Sequence, residues 1–171
     1  MRRQVVVSVV LAVLIVGCGP QNKDTSTIKR VLEEKVVKFV DAFNKQDVDG
    51  LTADYWNSPD LAVYYPDGNY IGYDAVRKSW ENFFQNVTVK RFAVNELHTE
   101  VDADGEVAYQ WGLYNLEMQP KAGPEISAPG RFTQVWRNMN GKWLIVLDHA
   151  SAPLPPPPAP GSESTDAMKM K

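Results

Sequence analysis

Four strand-like segments fill much of the C-terminal half of the chain, and turn-forming stretches separate them. The turns read DADG, KAGPEISAP and NG, and each is close enough to join antiparallel neighbours. The segments are RFAVNELHTEV (91–101), EVAYQWGLYNLEM (106–118), GRFTQVWRNM (130–139) and KWLIVLDHA (142–150). This half of the chain therefore predicts a curved antiparallel sheet.

Three helices are predicted ahead of this sheet. Apolar residues recur at three- and four-residue steps from Ile28 to Phe43, which marks a long amphipathic helix. Asp47 is placed to cap a short second helix, and residues 73–87 repeat the helical spacing. Between the second and third helices, LAVYY predicts a strand, and PDGNYIG predicts a turn followed by a second, returning strand. This order predicts an α+β domain in which the helices cover one face of the sheet.

The composition limits the kind of partner that we expect. The chain has 171 residues, of which 44% are hydrophobic, and a formal net charge of -3. This balance predicts one compact domain and argues against a nucleic-acid surface. Its two histidines, His98 and His149, lie too far apart in the sequence to form a metal signature. We therefore expect no nucleic-acid partner, no metal and no cofactor.

The N-terminal residues predict a secretory signal peptide over positions 1–17. A pair of arginines precedes an apolar run that is too short to span a bilayer. The run ends in IVGC (15–18), which resembles the bacterial lipobox, where a small residue precedes the cysteine that becomes lipidated and N-terminal. The resemblance implies that Cys18 carries acyl chains and holds the protein on a membrane.

The flanking segments set the expected location and the domain boundaries. Gly19 follows the cysteine where aspartate would suggest retention in the inner membrane, so we expect the outer membrane of a two-membrane bacterium, facing the periplasm. Residues 18–26 are predicted to be a tether, and residues 154–171 a proline-rich, disordered tail that cannot bury a core. Residues 27–153 remain for the folded domain.

The last strand is apolar on both faces. Strict alternation places Trp143, Ile145 and Leu147 on one face and Leu144 and Val146 on the other. A strand of an antiparallel sheet with one solvated face should instead alternate apolar and polar residues. Because no other element is left to cover the second face, we expect a homodimer that packs sheet against sheet.

The predicted arrangement resembles the SnoaL-like branch of the nuclear transport factor 2-like superfamily over Thr27 to Pro153. The most specific part, GRFTQVWRNMNGKWLIVLDHASAP, is also similar to the last hairpin of the association domain of calcium/calmodulin-dependent protein kinase II. Supporting pieces are FVDAFNKQDVDGL, YYPDGNYIGYDAV and GEVAYQWG. The resemblance implies a cone in which the sheet wraps around the N-terminal helices and holds a ligand. It implies no particular reaction, because this fold carries many activities.

Individual branches of this fold carry different functional residues at matching positions. The positions that match the catalytic residues of ketosteroid isomerases look like Phe39, Tyr65 and Gln134, which cannot perform that proton transfer. The pocket arginines of the kinase association domain fall on Gln134 and Ala150. Asp148 falls where limonene epoxide hydrolases hold an aspartate that activates water, so Asp148 is the candidate catalytic residue.

The direction of Asp148 depends on the turn before the last strand. If Asn140-Gly141 forms a two-residue type I′ turn, Asp148 lies beside Thr133 and near Arg131, and an ordinary ion pair results. If the loop is 139–141 with a bulge at the glycine, Asp148 shares its face with Phe132, Gln134 and Trp136. The resemblance favours the second arrangement, although the sequence alone leaves both open.

In the second arrangement Asp148 faces an aromatic pocket, where desolvation raises the pKa of a carboxyl group. The predicted ligand-binding residues are Tyr65, Trp80, Trp111, Gln134, Trp136 and Asp148. The leading hypothesis is a lipid-anchored, dimeric domain that binds a small, mainly apolar molecule in its cone. One alternative is a non-catalytic interaction module of the cell envelope, and another is a small hydrolase, isomerase or dehydratase that uses Asp148.

Overall fold

Three helices and six strands form within residues 25–153, the part of the chain that the computed structural model describes. Their bounds are α1 Thr25–Lys45, α2 Val48–Thr52, β1 Ala62–Tyr65, β2 Gly68–Ile71, α3 Tyr73–Asn86, β3 Val87–Val101, β4 Val107–Pro120, β5 Ile126–Met139 and β6 Lys142–Ser151. The predicted α+β fold is confirmed. The signal peptide, the lipid attachment at Cys18 and the proline-rich tail that the sequence predicts all lie outside the described residues.

The six strands form one sheet in the order β2-β1-β6-β5-β4-β3. Neighbouring strands are antiparallel, except that β1 runs parallel to β6 and places Val63 beside Asp148. The sequence predicted an entirely antiparallel sheet, and the parallel pair arises because β1 joins the sheet at the far side of the last hairpin. This pairing brings the second quarter of the chain against its last strand.

The hairpin between β5 and β6 combines the two predicted arrangements. Met139 pairs with Lys142, so Asn140 and Gly141 form a two-residue turn, and both have the positive φ that a type I′ turn requires, 56° and 84°. The pairing then shifts, because Val135 is opposite Leu147 but Trp136 is opposite Ile145. One residue, Val146, is therefore left without a partner.

The bulge at Val146 reverses the faces of the rest of β6. An extra residue in one strand moves every later side chain to the other side of the sheet. Asp148 is consequently opposite Gln134 and points inward, and Ala150 follows it on the same side opposite Phe132. The prediction that Leu147 shares a face with Trp143 is wrong, since Leu147 lies on the outer side.

A cluster of aromatic rings fixes the helices on the inner face of the sheet. Phe43 of α1 is only 4% exposed and stacks on Phe92 of β3, with ring centroids 4.2 Å apart. Trp80 and Phe84 of α3 contact the Phe43 ring edge-on, with ring centroids 5.3 Å and 5.7 Å from its centroid. Such packing contributes apolar burial and favourable ring geometry together. The cluster lies toward β3, and a cavity remains beside it.

The short α2 helix directs the chain toward β6. Asp47 caps it as predicted, since its carboxylate accepts a hydrogen bond from Gly50 N at 3.1 Å. The chain after the helix then bonds to the last strand, with Trp56 N donating to Ile145 O at 2.9 Å and Ile145 N donating to Asp54 O at 2.8 Å. This bridge holds Tyr55 against the inner side of β6.

Candidate functional site

Asp148 is the centre of a buried hydrogen-bonded cluster. The residue is 3% exposed, and its Oδ2 lies within hydrogen-bond distance of two tyrosine hydroxyls, 2.5 Å from Tyr55 Oη and 2.9 Å from Tyr65 Oη. Gln134 Nε2 adds a longer contact of 3.3 Å to the same oxygen. The two tyrosine hydroxyls also lie 2.8 Å apart. These donors offset the desolvation that an unpaired carboxyl group would suffer in an apolar interior.

Three separate parts of the fold supply the partners of Asp148. Tyr55 is held by the backbone bridge to Ile145, and Tyr65 ends the strand that runs parallel to β6. Gln134 is directly opposite Asp148 in the antiparallel pair β5·β6. The cluster therefore depends on sheet topology, because the contacts join residues far apart in the sequence.

A row of buried polar side chains crosses the inner face of the sheet at the level of Asp148. The row joins four neighbouring strands and consists of Thr99, Gln110, Gln134 and Asp148, each paired with the next. Gln110 Nε2 donates to Thr99 Oγ1 at 3.1 Å, while Gln110 Oε1 has no hydrogen-bond partner among the described residues. Buried polar atoms are nearly always paired, so the unpartnered oxygen of Gln110 makes this row unusual for a sheet core.

Burial sets the protonation of the cluster. It raises the pKa of the Asp148 carboxyl above its ordinary value, although the hydrogen bonds from Tyr55, Tyr65 and Gln134 act in the opposite direction. Burial, followed by the nearby charge of Asp148, also raises the pKa of Tyr55 and Tyr65 well above the ordinary tyrosine value. Both tyrosines therefore keep their protons at neutral pH and remain donors.

A cavity of about 720 Å³ lies between the helices and the inner face of the sheet, and Asp148 forms part of its wall. Most of the wall is apolar, and it includes Phe39, Phe83, Phe92 and Phe132. Charged residues of α1 and of the chain on either side of α2 also border the cavity, among them Lys35 and Asp54, whose Nζ and Oδ1 atoms are 2.5 Å apart. The volume is in the range of small-molecule sites.

The structure brings five of the six predicted ligand-binding residues to this cavity. Tyr65, Trp80, Gln134, Trp136 and Asp148 line it. The placement of Trp111 was wrong. Its neighbour Gln110 takes the inward position on β4, so Trp111 lies on the outer face, is 36% exposed and stacks on His98 with ring centroids 5.4 Å apart.

The sequence reasoning missed the role of Tyr55. Tyr55 lies beyond the end of the second helix, and its hydroxyl group contacts Asp148 Oδ2. No spacing pattern in the sequence joins the two residues, because the parallel bridge to β6 creates their contact. Within residues 25–153, no three His, Cys, Asp or Glu side chains lie together in a way that could hold a metal ion.

Solved structures identify the fold as that of the nuclear transport factor 2-like superfamily. A superfamily protein from Salmonella enterica serovar Typhimurium has a TM-score of 0.69 at 21% identity, covering 80% of this chain and 99% of its own. A ketosteroid isomerase-like protein from Erwinia carotovora has a TM-score of 0.63 at 19% identity, with coverages of 74% and 97%. At these identities the likeness shows the fold alone.

A third similar structure is a putative calcium/calmodulin dependent protein kinase II association domain from Xanthomonas campestris. Its TM-score is 0.56 at 18% identity, and the match covers 80% of this chain and 93% of that one. The sequence profile of the SnoaL-like domain matches residues 32–155. The chain therefore belongs to the SnoaL-like domain family, as the sequence predicted. No curated protein sequence matches it significantly.

The raised pKa of Asp148 predicts a pH-dependent stability. A carboxyl group that holds its proton more tightly in the folded chain makes folding less favourable as the pH rises from 3.8, its ordinary pKa, through the raised folded value. The free energy of unfolding of the wild type, minus that of Asp148→Asn, should therefore fall across this range by up to about 1.4 kcal/mol per pH unit.

Urea denaturation from about pH 4 to about pH 7 measures this difference. Asp104→Asn is the matched control, because it makes the same change on the exposed turn between β3 and β4. A difference between wild type and Asp148→Asn that stays constant with pH would contradict the expected protonation.

Proposed function

We propose that this SnoaL-like domain binds a small, mainly apolar molecule in the cavity and directs the polar end of that molecule to Asp148. The observation that carries the proposal is a cavity of about 720 Å³ with largely apolar walls and one buried carboxyl group in them. Apolar walls supply affinity through surface burial, and a few placed polar groups supply orientation.

The cone is left open although aromatic side chains surround it. Protein interiors are normally packed to the density of organic crystals, and unfilled volume reduces stability. Here Phe43 and Phe92 stack on one another, and the small residues Ala128 and Ala150 also line the cavity. An open, apolar cone supports a ligand-binding role over that of a scaffold whose interior is filled by its own side chains.

The hydrogen bonds of the cluster support binding over catalysis. The hydroxyl groups of Tyr55 and Tyr65 contact the carboxyl group and each other, and Gln134 contacts the carboxyl group from the neighbouring strand. These contacts hold Asp148 in one orientation. A fixed hydrogen-bonding group is what a binding site needs at the polar end of an apolar ligand.

Filling the cavity should abolish ligand binding. Ala150 lines the cavity and is half-buried, so the indole of Ala150→Trp would occupy part of the volume that a ligand needs. We expect the neutral dye Nile red, titrated by its fluorescence, to bind this variant at least about tenfold more weakly than wild type. Ala122→Trp, at an exposed position between β4 and β5, is the control. Equal affinities for both variants would contradict the proposed site.

We further propose that the outer face of the sheet forms a homodimer contact. Tyr109, Trp111 and Leu113 follow one another on the outer side of β4 and are 45%, 36% and 44% exposed. Ile71 on the edge strand β2 adds exposed apolar surface to the same outer face, near the opposite edge of the sheet. Contiguous apolar surface of this kind is uncommon on monomers and supports a contact between two identical faces.

A charge in the centre of this face should separate the subunits. We expect Leu113→Lys to be monomeric by analytical ultracentrifugation at concentrations where wild type is dimeric, because the lysine would be desolvated against a second copy. Val37→Lys, at an apolar position of α1 that is 68% exposed, is the matched control and should remain dimeric. A wild type that sediments as a monomer would refute the dimer.

We also propose that the protein is anchored by lipid at Cys18, in the outer membrane of a two-membrane bacterium and facing the periplasm. The support is the lipobox-like stretch IVGC and the glycine that follows it. No helix within residues 25–153 is long and apolar enough to cross a membrane.

Mass spectrometry of the N-terminal peptide tests this anchor. We expect an acylated cysteine in the wild type and none in Cys18→Ala, and membrane fractionation should recover only the wild type with the outer membrane. The assignment is direct because the chain contains one cysteine. An unmodified Cys18 in protein recovered from the membrane would refute the anchor.

A further inference from the structure

The cluster around Asp148 has three oxygen-to-oxygen contacts. The distances are 2.5 Å between Tyr55 Oη and Asp148 Oδ2, 2.9 Å between Tyr65 Oη and Asp148 Oδ2, and 2.8 Å between the two hydroxyl oxygens. Each tyrosine supplies one proton, and an ionised carboxylate supplies none. Two protons can serve only two of the three contacts, which would leave two oxygens facing each other without a proton between them.

A proton on the carboxyl group completes the ring. Each of the three oxygens then donates one hydrogen bond to the next and accepts one from the last, so that every contact holds one proton. Burial acts in the same direction, because an apolar environment favours the neutral form of an acid. The geometry therefore indicates a neutral Asp148 whose Oδ2 is fully engaged within the cluster.

The other carboxyl oxygen, Oδ1, faces the cavity. Tyr55, Tyr65 and Gln134 all contact Oδ2, and Oδ1 accepts no hydrogen bond from the residues that the structure describes. Among the described residues, the fully buried side-chain atoms that lack a hydrogen-bond partner are Trp80 Nε1, Gln110 Oε1 and Trp136 Nε1. Asp148 Oδ1 also lacks a partner but is not one of these buried atoms, so it retains some accessible surface. Because Asp148 lines the cavity and is otherwise enclosed, that space is the cavity.

We propose that the ligand carries a neutral hydroxyl group at its polar end and donates its proton to Asp148 Oδ1. This inference rests on the proposed ligand-binding function and specifies the chemical class of the ligand, an apolar alcohol or phenol. An ether or ketone has no proton to donate to an acceptor oxygen. An ammonium group would need an ionised carboxylate, and the three-proton ring disfavours that state.

A matched series of probes tests this class. Naphthol, its methyl ether and naphthalene share one skeleton and differ in the polar group that they present. Their dissociation constants for the purified protein can be measured by displacement of Nile red. We expect naphthol to bind about tenfold more tightly than the methyl ether, the gain of one buried hydrogen bond, and the ether to bind no better than naphthalene.

Two variants locate the hydrogen bond. In Asp148→Leu neither carboxyl oxygen remains at the cavity wall, so the preference for naphthol over its ether should disappear. Asp104→Leu makes the same change on an exposed turn and should behave as wild type.

The outcomes separate this inference from the function on which it rests. If naphthalene and the ether bind as tightly as naphthol, the cavity is a ligand site but the hydroxyl specificity is refuted. A preference for naphthol that survives in Asp148→Leu would also refute it, because another group would then receive the proton. Failure of all three probes and of Nile red to bind would refute the ligand-binding function and the inference together.

Discussion

The unpaired residue Val146 determines what the last strand presents to the interior. Without the bulge, strict alternation would turn Leu147 and His149 inward beside Trp143 and Ile145. With it, the inner side carries Asp148 and Ala150, which line the cavity. One extra residue therefore exchanges bulky side chains for small ones and adds a carboxyl group. The open volume and its polar group have the same structural origin.

An inward carboxyl group requires partners from the rest of the fold. An isolated carboxylate in an apolar interior would cost several kcal/mol. Here β1 runs parallel to β6, the segment after α2 bridges to it, and β5 lies opposite, and each contributes one hydrogen-bond partner to Asp148. The row continues to Gln110, whose Oε1 has no partner among the described residues. Natural sequences keep such locally unfavourable groups mainly where function requires them.

The elements and the fold could be predicted because they depend on periodicity. The spacing in α1 and α3 and the short turns between the last four strands are local properties of the sequence. Trp111 was misplaced because β4 carries large residues on both faces, so alternation alone does not give its phase. The bulge at Val146 and the contact of Tyr55 with Asp148 could not be predicted, since both depend on strand pairing between distant residues.

The bulge also changes the basis of the dimer proposal. Strict alternation predicted Leu144 and Val146 as the second apolar face of β6, with Leu147 on the first face beside Trp143 and Ile145. In the structure Leu147 joins Leu144 on the outer side, opposite Val135 of β5. The outer face gains a leucine at the same step by which the inner face gains a carboxyl group. The residue that opens the cavity therefore also increases the apolar surface available to a second copy of the chain, so both proposals depend on the register of one strand.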